Sequence, residues 1–317
     1  LAGVSRRPEG SGWEPRSELV PALALVVVTV FYGGTFRIVQ GAIEDVTPWG
    51  FILLRFAIGS LALLPFAFPR SWQRPGVPAT KRGFIGASVV FGILSFVGLA
   101  LQTVGLQYTS TSNSAFITGL FVVFTPILAV VTTRVLPPAR VALAVGLAVI
   151  GLFFLEGGSL ALGWGDSLTL LAAIAFAAWI LMAGTASLRY DPIVLTVVQL
   201  VTVFVLAVPF ALVAGVGRVS AAAIWGAVIT GLFATAAAFS LQFWAQRYVE
   251  PTRAAVILLL EPVVAGVLGY LGGERIGISG YAGAVLILVG ILVAESRSWR
   301  TLRLAREAAR RGESGAL

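Results

Sequence analysis

Cysteine and histidine are absent from this 317-residue chain, methionine occurs once, and only 11% of the residues are charged. Without cysteine the chain has no disulfides, thiol nucleophiles or thiolate metal ligands. Without histidine it lacks a common zinc and haem ligand, and also the side chain that usually carries protons near neutral pH. We therefore expect neither a cofactor nor a metal site.

Apolar residues take the place of charge. They make up 58% of the chain, and the mean hydropathy of +0.96 lies far outside the range of soluble globular proteins. The single lysine, Lys81, stands against 21 arginines, and alanine, valine, leucine and glycine are abundant. This composition indicates a membrane protein encoded by a GC-rich bacterial genome.

Ten apolar runs recur along the chain, most of them near the roughly 17 to 25 residues that a helix needs to cross a bilayer. We call them spans 1 to 10. Their predicted limits are 19–40, 48–68, 83–107, 113–135, 139–155, 166–186, 192–214, 222–246, 253–272 and 279–294.

The basic residues indicate the orientation of the spans. With both termini in the cytoplasm, 18 of the 22 basic residues lie in inner segments, and only Arg218 and Arg275 lie in outer loops. The other two, Arg37 and Arg55, fall within spans 1 and 2. We therefore expect a multi-pass protein of the bacterial cytoplasmic membrane.

The chain also repeats itself, with matching residues in the same order in both halves. The matches are Pro48, Arg55 and Pro65-Phe66-Ala67 with Pro192, Gln199 and Pro209-Phe210-Ala211; Gln102 and Tyr108 with Gln242 and Tyr248; Pro126 with Pro262; and Gly151 and Glu156 with Gly290 and Glu295. Because each half holds five spans, the second half must be inverted in the membrane.

These observations predict an all-α integral membrane protein, with ten transmembrane helices arranged as two inverted five-helix repeats. The predicted divisions are a cytoplasmic N-terminal segment 1–18, a first repeat 19–155, an outer loop 156–165, a second repeat 166–294 and a basic cytoplasmic tail 295–317. In transporters with inverted repeats, the substrate site lies near mid-membrane where the halves meet.

Several motifs carry a resemblance to a known family. They are Phe31-Tyr32-Gly33, Pro48 with Arg55-Phe56, the stretch from Ser114 to Leu120 with Pro126, and Leu260-Glu261-Pro262. From about residue 20 to 295 the chain resembles the EamA-like branch of the drug/metabolite transporter superfamily. The halves differ at one notable position, where Thr125 stands in the place that Glu261 has in the second half.

The resemblance implies a secondary carrier, of which many export amino acids or other metabolites. It also implies a central cavity lined by spans 1, 3, 4, 6, 8 and 9.

Glu261 is the only carboxylate well inside a span, roughly 10 Å from the cytoplasmic start of span 9. An ionised group at that depth must be paired, hydrated or protonated. The next residue, Pro262, has no amide hydrogen and frees the carbonyl of Leu258, so the helix is expected to loosen there. Glu261 either lines the transport path or is a structural acid bonded to neighbouring helices.

Arg55 lies roughly 10 Å below the outer face in span 2. Its guanidinium is suited to a forked contact with a carboxylate on the substrate. The alternative is that the side chain turns outward, or pairs with Glu44, Asp45 or a loop carbonyl. Gln102 and Gln242 occupy equivalent places in spans 3 and 8, where each amide needs a partner. Interhelical bonding and cavity lining are both open for them.

Five aromatic residues lie on spans that the resemblance assigns to the cavity, although most aromatic side chains in a membrane bundle only pack or face lipid. They are Tyr32, Phe116, Trp179, Phe239 and Trp244. Together with Glu261, Gln102, Gln242 and Arg55 they form the predicted substrate-binding set.

The leading functional hypothesis is a carrier that exports amino acids or similar small-molecule solutes, with protons as a candidate coupling ion. The alternative is a flippase for lipid or a lipid-linked sugar. An enzyme is disfavoured, because the sequence shows no paired acids, metal-ligand cluster or nucleotide-binding loop. The basic tail either contacts anionic membrane lipid or is solvated. Nucleic-acid binding is not expected, because the basic residues are distributed as topology requires.

Overall fold

The computed structural model describes residues 19–109, 111–155, 163–271 and 277–310. The predicted N-terminal segment, Glu156 with most of the outer loop, residues 272–276 and the end of the tail lie outside the described residues.

Helices occupy all ten predicted positions. Eight are long and apolar enough to cross a membrane, namely Leu19–Ala42, Pro48–Ala67, Lys81–Gly105, Ser114–Thr133, Trp164–Ala186, Pro192–Ala214, Ala221–Gln246 and Pro251–Leu268. Spans 5 and 10 correspond to shorter apolar helices, Ala139–Phe154 and Ile278–Ala294. The chain is thus a multi-pass membrane protein.

Spans 2 and 7 begin in the same way. The hydroxyl of Thr47 accepts a hydrogen bond from the amide of Gly50, and the carboxylate of Asp191 accepts from the amides of Ile193 and Val194. A proline, Pro48 or Pro192, follows each cap, where its missing N–H costs nothing. The repeated sequence therefore builds a repeated helix start.

Within the part of the chain that the structure describes, four spans are interrupted. Span 1 divides into Leu19–Gly33 and Thr35–Ala42, span 4 into Thr111–Gly119 and Phe121–Thr133, and span 9 into Pro251–Leu258 and Leu260–Leu271. Span 8 contains a π-helical turn, Leu232–Ala237, between Ala221–Gly231 and Ala238–Gln246. The break in span 9 lies where the missing amide of Pro262 predicts it.

Span 10 is longer than predicted. Its helix runs over Ile278–Arg310, so the backbone stays helical past residue 294, where the sequence pattern placed the start of the tail. Hydropathy reports the end of the apolar stretch, whereas a helix ends only where its backbone bonding stops.

Each span of the first half has a counterpart in the second half, five spans later. The main contacts between helices stay the same when every span is replaced by its counterpart. Spans 2 and 7, 4 and 9, and 5 and 10 contact each other directly. Span 3 packs on spans 6 and 7, just as span 8 packs on spans 1 and 2. Span 4 packs on span 6, and span 9 packs on span 1.

Two isolated β-bridges show the same correspondence between the halves. One joins Val46 to Gly217 and the other joins Gln73 to Tyr190. Val46 and Tyr190 are 144 residues apart, and so are Gln73 and Gly217. Pro48 and Pro192 are separated by the same interval, so the two bridges are repeat counterparts. Each bridge links the start of one helix to the loop after the other, so spans 2 and 7 run antiparallel.

Candidate functional site

The interrupted spans surround a central cavity of about 90 Å³. At roughly 10–15 Å³ for each enclosed water, this space holds several waters or one small organic solute. The cavity is lined by Tyr32, Thr35, Phe36, Val39, Arg55, Ser95, Leu99, Gln102, Thr103, Leu106, Thr118, Phe121, Phe176, Trp179, Ile180, Phe239, Gln242, Leu258 and Glu261. These residues come from spans 1, 3, 4, 6, 8 and 9, with Arg55 added from span 2.

Close contact between spans 1 and 9 forms one wall of the cavity. A Cβ atom added at Gly33 would lie 2.6 Å from the backbone oxygen of Glu261 and 2.9 Å from the Cβ of Val264. Only glycine therefore allows the backbones to approach this closely. The approach places Tyr32 and Glu261 on the same cavity.

Arg55 is held by span 8. Its Nε donates to Thr235 Oγ1 at 2.6 Å, and its Nη2 donates to the carbonyl of Ala234 at 3.3 Å. Both acceptors belong to the π-helical turn. Arg55 therefore neither turns outward nor pairs with Glu44 or Asp45, alternatives that the sequence left open.

A chain of hydrogen bonds fixes Gln242. Its Oε1 accepts from the hydroxyl of Tyr32 at 2.8 Å, and its Nε2 donates to Gln246 Oε1 at 3.4 Å. Gln246 in turn donates to the carbonyl of Ile180 at 2.9 Å. Gln242 thus both lines the cavity and connects spans 1, 8 and 6.

Gln102, the counterpart of Gln242, has fewer bonds. Its Nε2 donates to Thr118 Oγ1 at 2.8 Å, which links span 3 to span 4. Within the described residues no donor is recorded for its carbonyl oxygen. This oxygen is available as an acceptor at the cavity wall.

Trp179 forms a rigid aromatic wall. Its indole N–H donates to Gln199 Oε1 at 3.1 Å, which sets the plane of the ring. Phe91, Phe239 and Phe243 pack around it, with ring centroids 4.8 to 5.5 Å away. An apolar part of a solute would contact a surface that is already ordered.

Glu261 is the acidic group of the cavity. Among the described residues no hydrogen-bond donor to its carboxylate is recorded, and no ion pair joins it to Arg55. Both charged side chains nevertheless line the same cavity. The site therefore presents one cation and one anion that do not neutralise each other by direct contact.

The structure brings together seven of the nine residues in the predicted binding set. Phe116 is buried in the core, and Trp244 packs edge-on against Tyr248 with centroids 5.6 Å apart; neither lines the cavity. Helical periodicity does not reveal which face of a span turns inward, because every face is apolar.

Sequence reasoning missed Thr118, Phe176 and Thr235. Thr118 and Phe176 lie on spans already assigned to the cavity. Phe176 lies three residues before Trp179 on span 6 and so on the same helix face, which means that the prediction for Trp179 extends to it. Nothing in the sequence marks Thr235, because the π-helical turn that positions it has no sequence signature.

The fold is similar to that of a solved crystal structure. That structure superimposes with a TM-score of 0.71 over 87% of this chain and 98% of its own, at 15% sequence identity.

Relatives extend over most of the chain. An uncharacterized transporter of Archaeoglobus fulgidus is 34% identical over 296 residues, covering 93% of this chain and 92% of its own. The uncharacterized transporter YoaV of Bacillus subtilis is 23% identical, covering 86% of this chain and 95% of its own. The uncharacterized inner membrane transporter YedA of Escherichia coli is 26% identical, covering 87% and 91%.

The family comparison agrees with the relatives. A model of the EamA-like transporter family matches residues 19–156 and again residues 163–295. The protein therefore belongs to the EamA-like transporter family.

Proposed function

We propose that this protein is a secondary transporter that moves small organic solutes, amino acids or related metabolites, out of a bacterial cell by alternating access. The observation that carries the proposal is a small cavity, within a bundle of membrane helices, that contains Arg55 and Glu261 without a direct ion pair between them. Charged groups at such depth are costly unless protein groups, a solute or water compensate them.

The chemistry of the cavity suits a zwitterion. A carboxylate would contact the guanidinium of Arg55, and an ammonium group would contact Glu261 or the free carbonyl oxygen of Gln102. The ordered wall around Trp179, with Phe239 and Phe176, would receive an apolar side chain. An amino acid carries all three kinds of group on one small frame.

An inverted repeat supplies the proposed mechanism. Equivalent spans of the two halves make equivalent contacts, and the two bridges are related by 144 residues. Both observations support a two-fold axis in the membrane plane. Rocking of one half against the other would open the cavity to each side in turn. In this arrangement both termini lie in the cytoplasm.

Glu261 is our candidate for proton coupling. The chain has no histidine, and this carboxylate lines the cavity without a recorded donor among the described residues. Binding of a solute ammonium group and binding of a proton would then compete for the same oxygen atoms. Such competition is a simple way to exchange one for the other.

Purified protein in liposomes tests the proposal. We expect counterflow of at least one radiolabelled amino acid, and faster net movement when a pH gradient is imposed. Protein-free liposomes are the control, and a parallel sample with fluorescent phospholipid tests the flippase alternative. Movement of lipid without movement of any amino acid or metabolite would contradict the proposal.

A further inference from the structure

The π-helical turn of span 8 has an unusual hydrogen bond at Thr235. Thr125, Thr196, Thr202 and Thr230 each donate to the carbonyl four residues earlier, as in a regular α-helix. Thr235 instead donates to the carbonyl of Thr230, five residues earlier, at 2.9 Å. The wider π turn sets this register, so the direction of the Thr235 hydroxyl depends on it.

This donation determines what the hydroxyl offers to Arg55. Because the Thr235 hydrogen points at Thr230, the oxygen lone pairs are free to accept from Arg55 Nε, and they do so at 2.6 Å. The neighbouring carbonyl of Ala234 accepts from Nη2. The turn therefore accepts two hydrogen bonds from one side of the guanidinium. Thr235 itself is fully buried.

The other side of the guanidinium is left for a ligand. A guanidinium has five N–H groups, of which span 8 engages two. The remaining three have no protein acceptor among the described residues, although Arg55 is a cavity-lining side chain. A purely structural arginine in a membrane bundle would satisfy these groups with protein acceptors.

We infer that Thr235 is a positioning residue, which holds Arg55 through the π-helical turn so that its free N–H groups receive a carboxylate of the transported solute. The inference rests on the proposed function and adds to it the determinant of substrate class. Thr235 does not itself contact the solute. It sets the angle of the guanidinium fork, and a planar fork binds a carboxylate in two parallel bonds only at the right angle.

Two substitutions separate this role from simple packing. Thr235→Val keeps the side-chain shape and removes the hydroxyl, whereas Thr235→Ser keeps the hydroxyl and removes only a methyl group. Wild type and both variants are reconstituted in liposomes. Uptake of L-leucine and L-phenylalanine is measured against competition by leucinamide and phenylalaninamide, which lack the carboxylate.

We expect wild type and Thr235→Ser to prefer the amino acids. Thr235→Val should raise their KM about tenfold, the effect expected when the misaligned guanidinium loses one of its two hydrogen bonds to the carboxylate. It should leave inhibition by the amides unchanged within about twofold. Equal weakening of amino acids and amides, or a Thr235→Ser variant as impaired as Thr235→Val, would overturn the inference.

A double-mutant cycle, measured by thermal stability, tests the contact between Thr235 and Arg55 without any solute. Melting temperatures of wild type, Thr235→Val, Arg55→Gln and the double variant should be non-additive, with the double variant no less stable than Arg55→Gln alone. Additive losses would show that Thr235 does not hold Arg55. If wild type moves no solute at all, the proposed function fails and this cycle alone decides the positioning role. If Thr235→Val cannot be purified, Thr235→Ala takes its place.

Discussion

The two halves share a frame and differ in the residues that face the cavity. Arg55 of span 2 and Gln199 of span 7 are repeat counterparts, yet Arg55 lines the cavity and Gln199 fixes the indole of Trp179. Glu261 of span 9 lines the cavity, whereas its counterpart Thr125 is buried and donates to a backbone carbonyl of its own helix. Each half thus contributes one charge.

The features that hold the helices together are the same in both halves, whereas the charged side chains of the cavity are not. Helix starts, bridges and close glycine contacts recur in both halves, because the two must pack in the same way. The charged side chains of the cavity differ, because neither Arg55 nor Glu261 has a charged counterpart in the other half, whereas Gln102 and Gln242 match. Under the proposed function, a symmetric site would carry each charged group twice or not at all, and would not give a zwitterion a single orientation.

The largest expected effect is an all-or-none result that tests the inverted arrangement. The absence of natural cysteine makes Ser71→Cys and Val219→Cys unique thiols, and both positions are exposed in the loops after spans 2 and 7. An impermeant thiol reagent should label Val219→Cys from outside intact cells, and Ser71→Cys only after the cells are opened. Labelling of both from outside would remove the inverted relation between the halves.

The next effect tests the difference between Arg55 and Gln199. Arg55→Gln places the second-half residue in the first half and removes the forked donor. We expect kcat/KM for amino acids to fall about 100-fold, in line with the loss of two charge-assisted bonds. Liposome uptake measures it, with the exposed Arg218→Gln as the matched control. Unchanged preference for amino acids over their amides would assign Arg55 to structure alone.

A smaller effect concerns Glu261 and its neutral counterpart Thr125. With one proton exchanged per solute, a gradient of one pH unit supplies about 1.4 kcal/mol, or up to about tenfold in accumulation. Glu261→Gln should abolish the acceleration of transport by a pH gradient. It should weaken solute exchange in the absence of a gradient only in part, because the amide oxygen still accepts from an ammonium group, whereas the exposed Glu250→Gln should behave as wild type. Persistent acceleration in a well-folded Glu261→Gln protein would exclude coupling at this residue.

The mildest expected change is in stability, and it tests the shared frame. A Cβ atom at Gly92 would lie 2.3 Å from the Cβ of Thr202, and one at Gly231 would lie 2.8 Å from the backbone oxygen of Arg55 and 3.2 Å from the Cβ of Ile58. Thr202 and Ile58 are themselves 144 residues apart. We expect Gly92→Ala and Gly231→Ala each to destabilise by about 1–3 kcal/mol, measured by thermal unfolding in detergent.

Gly86 offers a control in the same helix as Gly92. Nothing lies within 4 Å of a Cβ atom added there, so Gly86→Ala should be neutral or slightly stabilising. A loss confined to one of the two contact glycines would mean that the halves pack by different rules.

Sequence reasoning located the helices and the two charged cavity residues well, for a physical reason. Long apolar runs are required of every membrane helix, and a charge inside one stands out against them. Glu261 and Arg55 could therefore be selected without coordinates. Phe116 and Trp244 were not separable from Trp179 and Phe239, because an aromatic residue is compatible with lipid, core and cavity alike.

The sequence by itself determined that the chain is a helical membrane protein in two related halves, since hydropathy, repeated motifs and repeated helix caps are local properties. Tertiary structure alone decided which faces meet at the cavity. It placed Arg55 against the π-helical turn, turned Gln199 to Trp179 and left Glu261 apart from Arg55. These outcomes depend on helix rotation and on contacts between residues far apart in the chain, such as Arg55 and Thr235, which are 180 positions apart. No local pattern encodes such contacts.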